Sequence, residues 1–176
     1  MPLWRWLRIQ FLKTNIFLKN LKIIVFDFDG VLTNNNVFLN SSGEEFVSCS
    51  RADGIAFNIF KKIGIKTLIL STESNSVVSA RAQKLSVPVI QSVSNKLLTL
   101  EKYLNNNNLT LKNVMFVGND LNDLKVMQNV AVSCCPSDSH QKIKEISTHI
   151  LNTKGGHGVA REVIEDILQV NVVDYL

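Results

Sequence analysis

Two aspartates, Asp27 and Asp29, stand two residues apart in the string Lys-Ile-Ile-Val-Phe-Asp-Phe-Asp-Gly-Val-Leu-Thr at positions 22–33. The apolar, β-branched run from Ile23 to Phe26 predicts a buried strand that carries both carboxylates to its end. Residues two apart on an extended chain point the same way, so the pair is aimed at one place. Gly30 then lets the backbone turn sharply where a side chain would cost strain. Two acids crowded at the mouth of a sheet repel each other unless a cation, a proton or substrate chemistry compensates.

Three further strings put polar groups at the ends of apolar runs. Residues 66–72 (Lys-Thr-Leu-Ile-Leu-Ser-Thr) predict a second strand ending in the hydroxyls of Ser71 and Thr72, followed by Glu73. Lys96 opens a predicted helix. Residues 114–123 (Val-Met-Phe-Val-Gly-Asn-Asp-Leu-Asn-Asp) predict a third strand that leads into Asn119, Asp120 and Asp123.

The elements that must position these groups alternate. After the first strand, Asn34, Asn35 and Asn36 break the pattern, and runs 37–39 and 45–49 around Asn40-Ser-Ser-Gly43 read as a β-hairpin. Asp53-Gly54 starts a helix with apolar positions Ile55, Phe57, Ile59, Phe60 and Ile63, ended by Gly64. Strand 66–71 leads to a helix over 75–85, capped by Asn75 or Ser76. A strand at 87–90, a helix at 95–104, strand 113–117, helix 121–128, strand 130–133, helix 138–146, strand 149–151 and helix 158–168 follow. Alternating strand and helix predicts an α/β fold: a three-layer, doubly wound, mainly parallel sheet. Ligands of such sheets bind beyond the carboxyl ends of the strands near a topological switch, where Asp27, Ser71 and Asp120 all fall.

Length and composition set the frame. A chain of 176 residues with 45% hydrophobic residues suits one domain with a full core. No apolar run approaches the ~20 residues that cross a bilayer. Cys49, Cys134 and Cys135 lack zinc-ligand spacing and read as reduced thiols of a cytoplasmic protein. The formal charge of +4 comes from Arg5, Arg8, Lys13 and Lys19, so the remainder carries fifteen basic and fifteen acidic residues. A distributed basic face for nucleic acid is therefore not expected. Residues 1–20 form a basic, aromatic extension that packs on the domain or touches an anionic membrane surface. Residues 21–176 form the domain proper.

The four strings, in this order and context, resemble the four motifs of the haloacid dehalogenase-like phosphatase superfamily. The resemblance implies Asp27 as a nucleophile that forms an aspartyl-phosphate, with Asp29 as the acid and then the base. It implies Mg²⁺, held by the Asp27 carboxylate, the Asp29 backbone carbonyl and Asp120, with Asp123 in support. It further implies that Lys96 neutralises charge and that Ser71, together with backbone amides around Gly30 and Asn119, holds the phosphate. Spacing agrees with the two acid roles, because the pair shares a site yet can occupy different environments. Only about twenty residues separate Thr33 from Asp53, too few for the cap domain many relatives carry.

The closer resemblance, over residues 21–170, is to a capless, tetrameric branch acting on 8- or 9-phosphates of eight- and nine-carbon keto sugar acids. It rests on Asp29-Gly-Val-Leu-Thr33, the hairpin, Arg51-Ala-Asp-Gly54, Val78-Ser-Ala-Arg81 and Gly155-Gly-His-Gly-Val-Ala-Arg-Glu162. In that branch the hairpin builds the homotetramer, and the glycine-rich tail at 155–158 either reaches a neighbouring site or is an ordinary turn. Ser71-Thr72-Glu73 resembles the members acting on sialic-acid-type 9-phosphates, whereas octulosonate phosphatases usually carry Gly-Arg after the hydroxyl. A Glu repels a sugar carboxylate that an Arg would pair with. The expected substrate is thus a nonulosonate 9-phosphate, with 3-deoxy-D-manno-octulosonate 8-phosphate second. Arg51, Arg81 or Arg161 are candidates to meet the sugar carboxylate. The non-enzymatic alternative is an oligomerisation domain that assists a cytidylyltransferase.

Overall fold

The computed structural model describes residues 19–176, so most of the N-terminal extension lies outside the described residues. β1 (Ile23–Phe26) is fully buried and forms the spine of a six-stranded parallel sheet. It pairs with β4 (Lys66–Leu70) on one side and β6 (Val114–Val117) on the other. β5 (Val89–Ile90) extends the β4 side; β7 (Val132–Cys135) and β8 (His149–Ile150) extend the other, giving the order β5-β4-β1-β6-β7-β8. The chain thus runs outward from β1 in one direction, returns, and runs outward in the other. The reversal falls beside β1, and register sets Phe26 opposite Ile69 and Val117. The strand ends that follow, Asp27, Ser71 and Asn119–Asp120, come out side by side.

Alternation along the strands builds two cores. Ile24 and Phe26 face α1 (Arg51–Lys62), α2 (Ser76–Leu85) and α6 (Val159–Glu162). Phe26, Phe57 and Phe60 pack ring against ring there, with Phe26 and Phe57 edge-on at 5.0 Å. Ile23 and Val25 face α3 (Lys96–Asn106), α4 (Leu124–Met127) and α5 (Gln141–Ile146). This is the expected three-layer arrangement.

Several boundaries move, each for a local reason. α1 starts at Arg51 rather than Asp53 because the Ser50 hydroxyl accepts from Ala52 N and caps it. The hairpin shrinks to β2 (Phe38–Leu39) and β3 (Glu45–Phe46), and Cys49 instead pairs across to Thr33. β7 runs two residues later than 130–133. Asn129 and Val130 are still bonded back to Val126, while the small apolar Cys134 and Cys135 continue the strand. Segment 121–128 opens with a 3-10 turn, Leu121–Asp123, and helix 138–146 waits for its cap at His140. Helix 158–168 turns into a π-helix over Val163–Ile167, and a final 3-10 turn at Val172–Tyr175 packs Val172 into the core.

Candidate active site

The carboxyl ends of β1, β4 and β6 open into a pocket of about 310 Å³, lined by Asp27, Asp29, Ser71, Thr72, Asn119 and Asp120 together with Asn35, Leu121 and Asn122. Asp27 follows directly from β1 and is buried; its Oδ1 accepts from Phe28 N at 2.7 Å. Lys96 enters from behind, as the first residue of α3, whose cap Asn95 accepts from Leu98 N. The buried Lys96 Nζ lies 2.7 Å from Asp27 Oδ1 and 2.6 Å from Asp123 Oδ1. Asp123 is fully enclosed, and its other oxygen accepts from Asn119 N at 2.9 Å and Asp120 N at 3.4 Å. Asp123 thus fixes the loop that presents Asp120 rather than lining the pocket itself. Lys96 is fixed by the same carboxylate.

The electrostatics follow from burial. Burial raises the Asp27 carboxyl, the Asp123 charge adds to this, and the Lys96 ammonium opposes it. Burial also pulls Lys96 down, but Asp27 and Asp123 outweigh it and hold the ammonium above its ordinary range. Two buried carboxylates against one ammonium leave an excess of negative charge. Asp29 is half-buried and likewise raised, first by burial; the Thr33 hydroxyl, donating to its Oδ1 at 3.3 Å, pulls it back, and Glu73 and Glu45 push it up further. One acid is therefore clamped by a lysine, while the other, also raised above its ordinary range, has no lysine contact and stands freer.

The donor set suits a hard divalent ion. Asp27 and Asp120 face one pocket, the excess charge there is negative, and the buried Asn119 Oδ1 has no hydrogen-bond partner. Among the described residues no three His, Cys, Asp or Glu side chains converge on a metal position by themselves. Two carboxylates and the Asp29 backbone carbonyl would need water and substrate oxygens to complete the shell. That is the habit of Mg²⁺.

The other expected residues divide. Gly30 takes a left-handed φ of +75°, and a Cβ there would collide with the Asn119 side chain. The Ser71 hydroxyl accepts from Glu73 N, and Asn122 Nδ2 donates to Thr72 Oγ1 at 3.4 Å, bridging two of the site loops. Glu73 lies outside the pocket lining: its Oε1 accepts from Ser74 N and Asn75 N. The three arginines also lie outside. Arg51 is exposed at the start of α1, Arg81 Nη2 donates to Ser50 O at 2.6 Å, and Arg161 pairs with Glu165 at 2.8 Å. Gly155 and Gly156 pack on residues 30–34 of their own chain, where a Cβ on either would strike backbone.

Two buried acids went unread in the sequence. Asp53 accepts from Ala160 N at 2.9 Å, and Glu162 accepts from Asn152 N and Thr153 N, both at 2.7 Å. Their partners are backbone amides far away in sequence or of no distinctive residue type. The only signal was an Asp beside Gly54 and a Glu closing the glycine-rich string.

Paired acids, a buried lysine and strand-end hydroxyls at the switch point of a capless, doubly wound sheet define a phosphatase of the α/β type. The chain belongs to the haloacid dehalogenase-like hydrolases, whose family model matches residues 58–163. It is 28% identical over 151 residues, 85% of this chain and 80% of the relative, to 3-deoxy-D-manno-octulosonate 8-phosphate phosphatase of Salmonella typhi. It is 27% identical to N-acylneuraminate cytidylyltransferase A of Danio rerio over 84% of this chain but 35% of that one. Among solved structures, a hydrolase of the same family from Streptomyces avermitilis matches with a TM-score of 0.85 and 35% identity, covering 88% of this chain and 89% of that one. The Moraxella catarrhalis octulosonate phosphatase, in complex with magnesium, phosphate and the sugar acid, matches with a TM-score of 0.85, 28% identity, and 89% and 91% coverage.

Proposed function

We propose that the protein removes the terminal phosphate of an eight- or nine-carbon keto sugar acid through an aspartyl-phosphate on Asp27. The observation that carries this reading is the Asp27–Lys96–Asp123 triad beside a pocket that also holds Asp29, Ser71 and Asp120. Lys96 neutralises Asp27 enough for it to approach an anionic ester and keeps its Oδ1 pinned, so the other oxygen faces phosphorus. Asp29, with its raised carboxyl, gives its proton to the departing sugar oxygen, then takes one from the water that attacks the acyl-phosphate. Ser71 and the backbone amides near Gly30 and Asn119 hold the phosphate oxygens. Asp27, the Asp29 backbone carbonyl and Asp120 would hold Mg²⁺, which when bound would supply charge neutralisation at phosphorus.

Similarity to the Salmonella and Moraxella phosphatases favours octulosonate 8-phosphate as substrate. Glu73, the basis for the nine-carbon alternative, has one oxygen held by its own loop. The nonulosonate 9-phosphate remains the second reading because the Glu73 charge still acts on Asp29, close to where the sugar leaves. Phosphate release from the two compounds, measured side by side with Mg²⁺, is expected to show higher kcat/KM for the octulosonate. The reverse order would establish the nine-carbon reading, and release from neither would remove both. Glu73→Arg is expected to raise the octulosonate-to-nonulosonate ratio, and an unchanged ratio would show that Glu73 does not read the sugar.

We further infer a homotetramer built through the hairpin. Phe38 and Leu39 are 63% and 66% exposed, and Val37 and Phe46 are at least half exposed beside them. A two-stranded hairpin with four bare apolar side chains is marginal alone and suited to burial by a second copy. Among the described residues no helix is long and apolar enough to cross a membrane. The thiols of Cys49, Cys134 and Cys135 are free, in keeping with a cytoplasmic protein.

A further inference from the structure

We propose that Glu162 is a positioning residue for the reaction, acting through the glycine-rich segment to hold the loops that carry Asp29 and Asp120. Glu162 is buried on the first turn of α6, and the described structure gives it no basic partner. Both of its oxygens accept from consecutive backbone amides, Asn152 N and Thr153 N. A buried carboxylate is costly unless hydrogen-bonded, and these two amides are what offset that cost, which ties Glu162 firmly to residues 152–153.

What they anchor is a bracket between the two site loops. Thr153 O accepts from Ser137 N at 3.0 Å, and Gly155 N donates to Asp138 Oδ1 at 3.0 Å. Gly156 N donates to Val31 O at 2.9 Å, while Gly155 lies so close to the Gly30 carbonyl that a Cβ would overlap it. One end of the bracket therefore presses on the loop just beyond Asp29. The other end runs through the same 137–140 turn, whose His140 N donates to Asn119 O at 2.9 Å, beside Asp120. Through this bracket Glu162 sets the distance between two acids that must act on one phosphate. It touches neither the pocket nor the triad.

The inference rests on the phosphatase reading for its kinetic consequence, and its structural part can be read without substrate. Glu162→Gln keeps the shape but turns an amide donor toward one of the two N–H groups. Gly155→Ala pushes the same loop from its other side without changing charge. Each variant is expected to lower kcat by about 100-fold, the scale of a misplacement near 1 Å. Each is also expected to weaken Mg²⁺ binding by calorimetry and to speed amide exchange in residues 28–34. Glu162→Asp, which keeps the charge, is expected to recover part of the loss. Variants that melt at lower temperature but keep wild-type kcat, Mg²⁺ affinity and exchange rates at 28–34 would overturn the proposal and leave Glu162 a purely structural residue. A wild-type protein that releases no phosphate would instead overturn the phosphatase reading, while Mg²⁺ binding and exchange would still decide the role of Glu162. A Glu162→Gln chain that does not fold leaves the decision to Gly155→Ala.

Discussion

In the proposed reaction Lys96 serves stability and chemistry with the same contacts. Its ammonium stands between two buried carboxylates, and removing it leaves both uncompensated. Lys96→Met is expected to cost roughly 3–5 kcal/mol in denaturant unfolding, the range for breaking a buried pair, and to cut phosphate release at least about 100-fold. A variant with wild-type turnover would mean that Lys96 only supports the fold. The same residue marks how much could be read in advance. Asp27, Asp29, Ser71, Asp120 and Lys96 were legible because each sits at the end of a strongly patterned element. Asp123, expected in support of the metal ligands, is fully enclosed and holds Lys96 and the 119–120 amides, a placement that spacing alone does not give. Which way a carboxylate turns depends on the backbone it meets, and spacing does not carry that.

At the scale of elements, the contact between α1 and α6 depends on an acid with a cost. Asp53 reaches from the first turn of α1 to Ala160 N at the start of α6, and its Oδ2 is buried without a partner. Burial raises its carboxyl to about 6 from 3.8, with the amides of Ala160 and Arg161 holding it back. Between these values the folded protein binds more protons than the unfolded chain, so Asp53 makes stability fall as pH rises from about 4 to about 6. The span corresponds to roughly 3 kcal/mol at most. Melting temperature against pH should show this decline, and Asp53→Asn should flatten it; an unchanged slope in the variant would contradict the assignment. This clasp was not legible in the sequence, because its partner amides lie about a hundred residues away. The shift of β7 escaped for a different reason. Ser133-Cys134-Cys135 lacks the β-branched signature, and the neighbouring buried strand, not propensity, keeps it extended.

The whole molecule combines an open pocket with an apolar hairpin that stands away from the core. Asn75, in the loop that follows Ser71, donates to Glu45 on β3 at 2.7 Å, so the hairpin is tied to a site loop within one chain. Phe38→Asp is expected to turn a tetramer into smaller species in sedimentation or light scattering, with the melting of the monomer fold little changed. A wild-type chain that is monomeric at micromolar concentration would end the tetramer reading. Among the described residues no insertion is large enough for a cap, and this was legible from loop lengths alone. What the hairpin covers was not, since a single sequence does not show its neighbours.

The central claim is that Asp27 accepts the phosphoryl group. Acid quenching during turnover of an octulosonate phosphate carrying radiolabelled phosphorus, followed by peptide mapping, tests it most directly. The label is expected on the peptide containing Asp27, to be lost in mild alkali as an acyl-phosphate should be, and to be absent in a folded Asp27→Asn protein that also releases no phosphate. Turnover by Asp27→Asn, or steady phosphate release with no label at Asp27 at any quench time, would contradict the account.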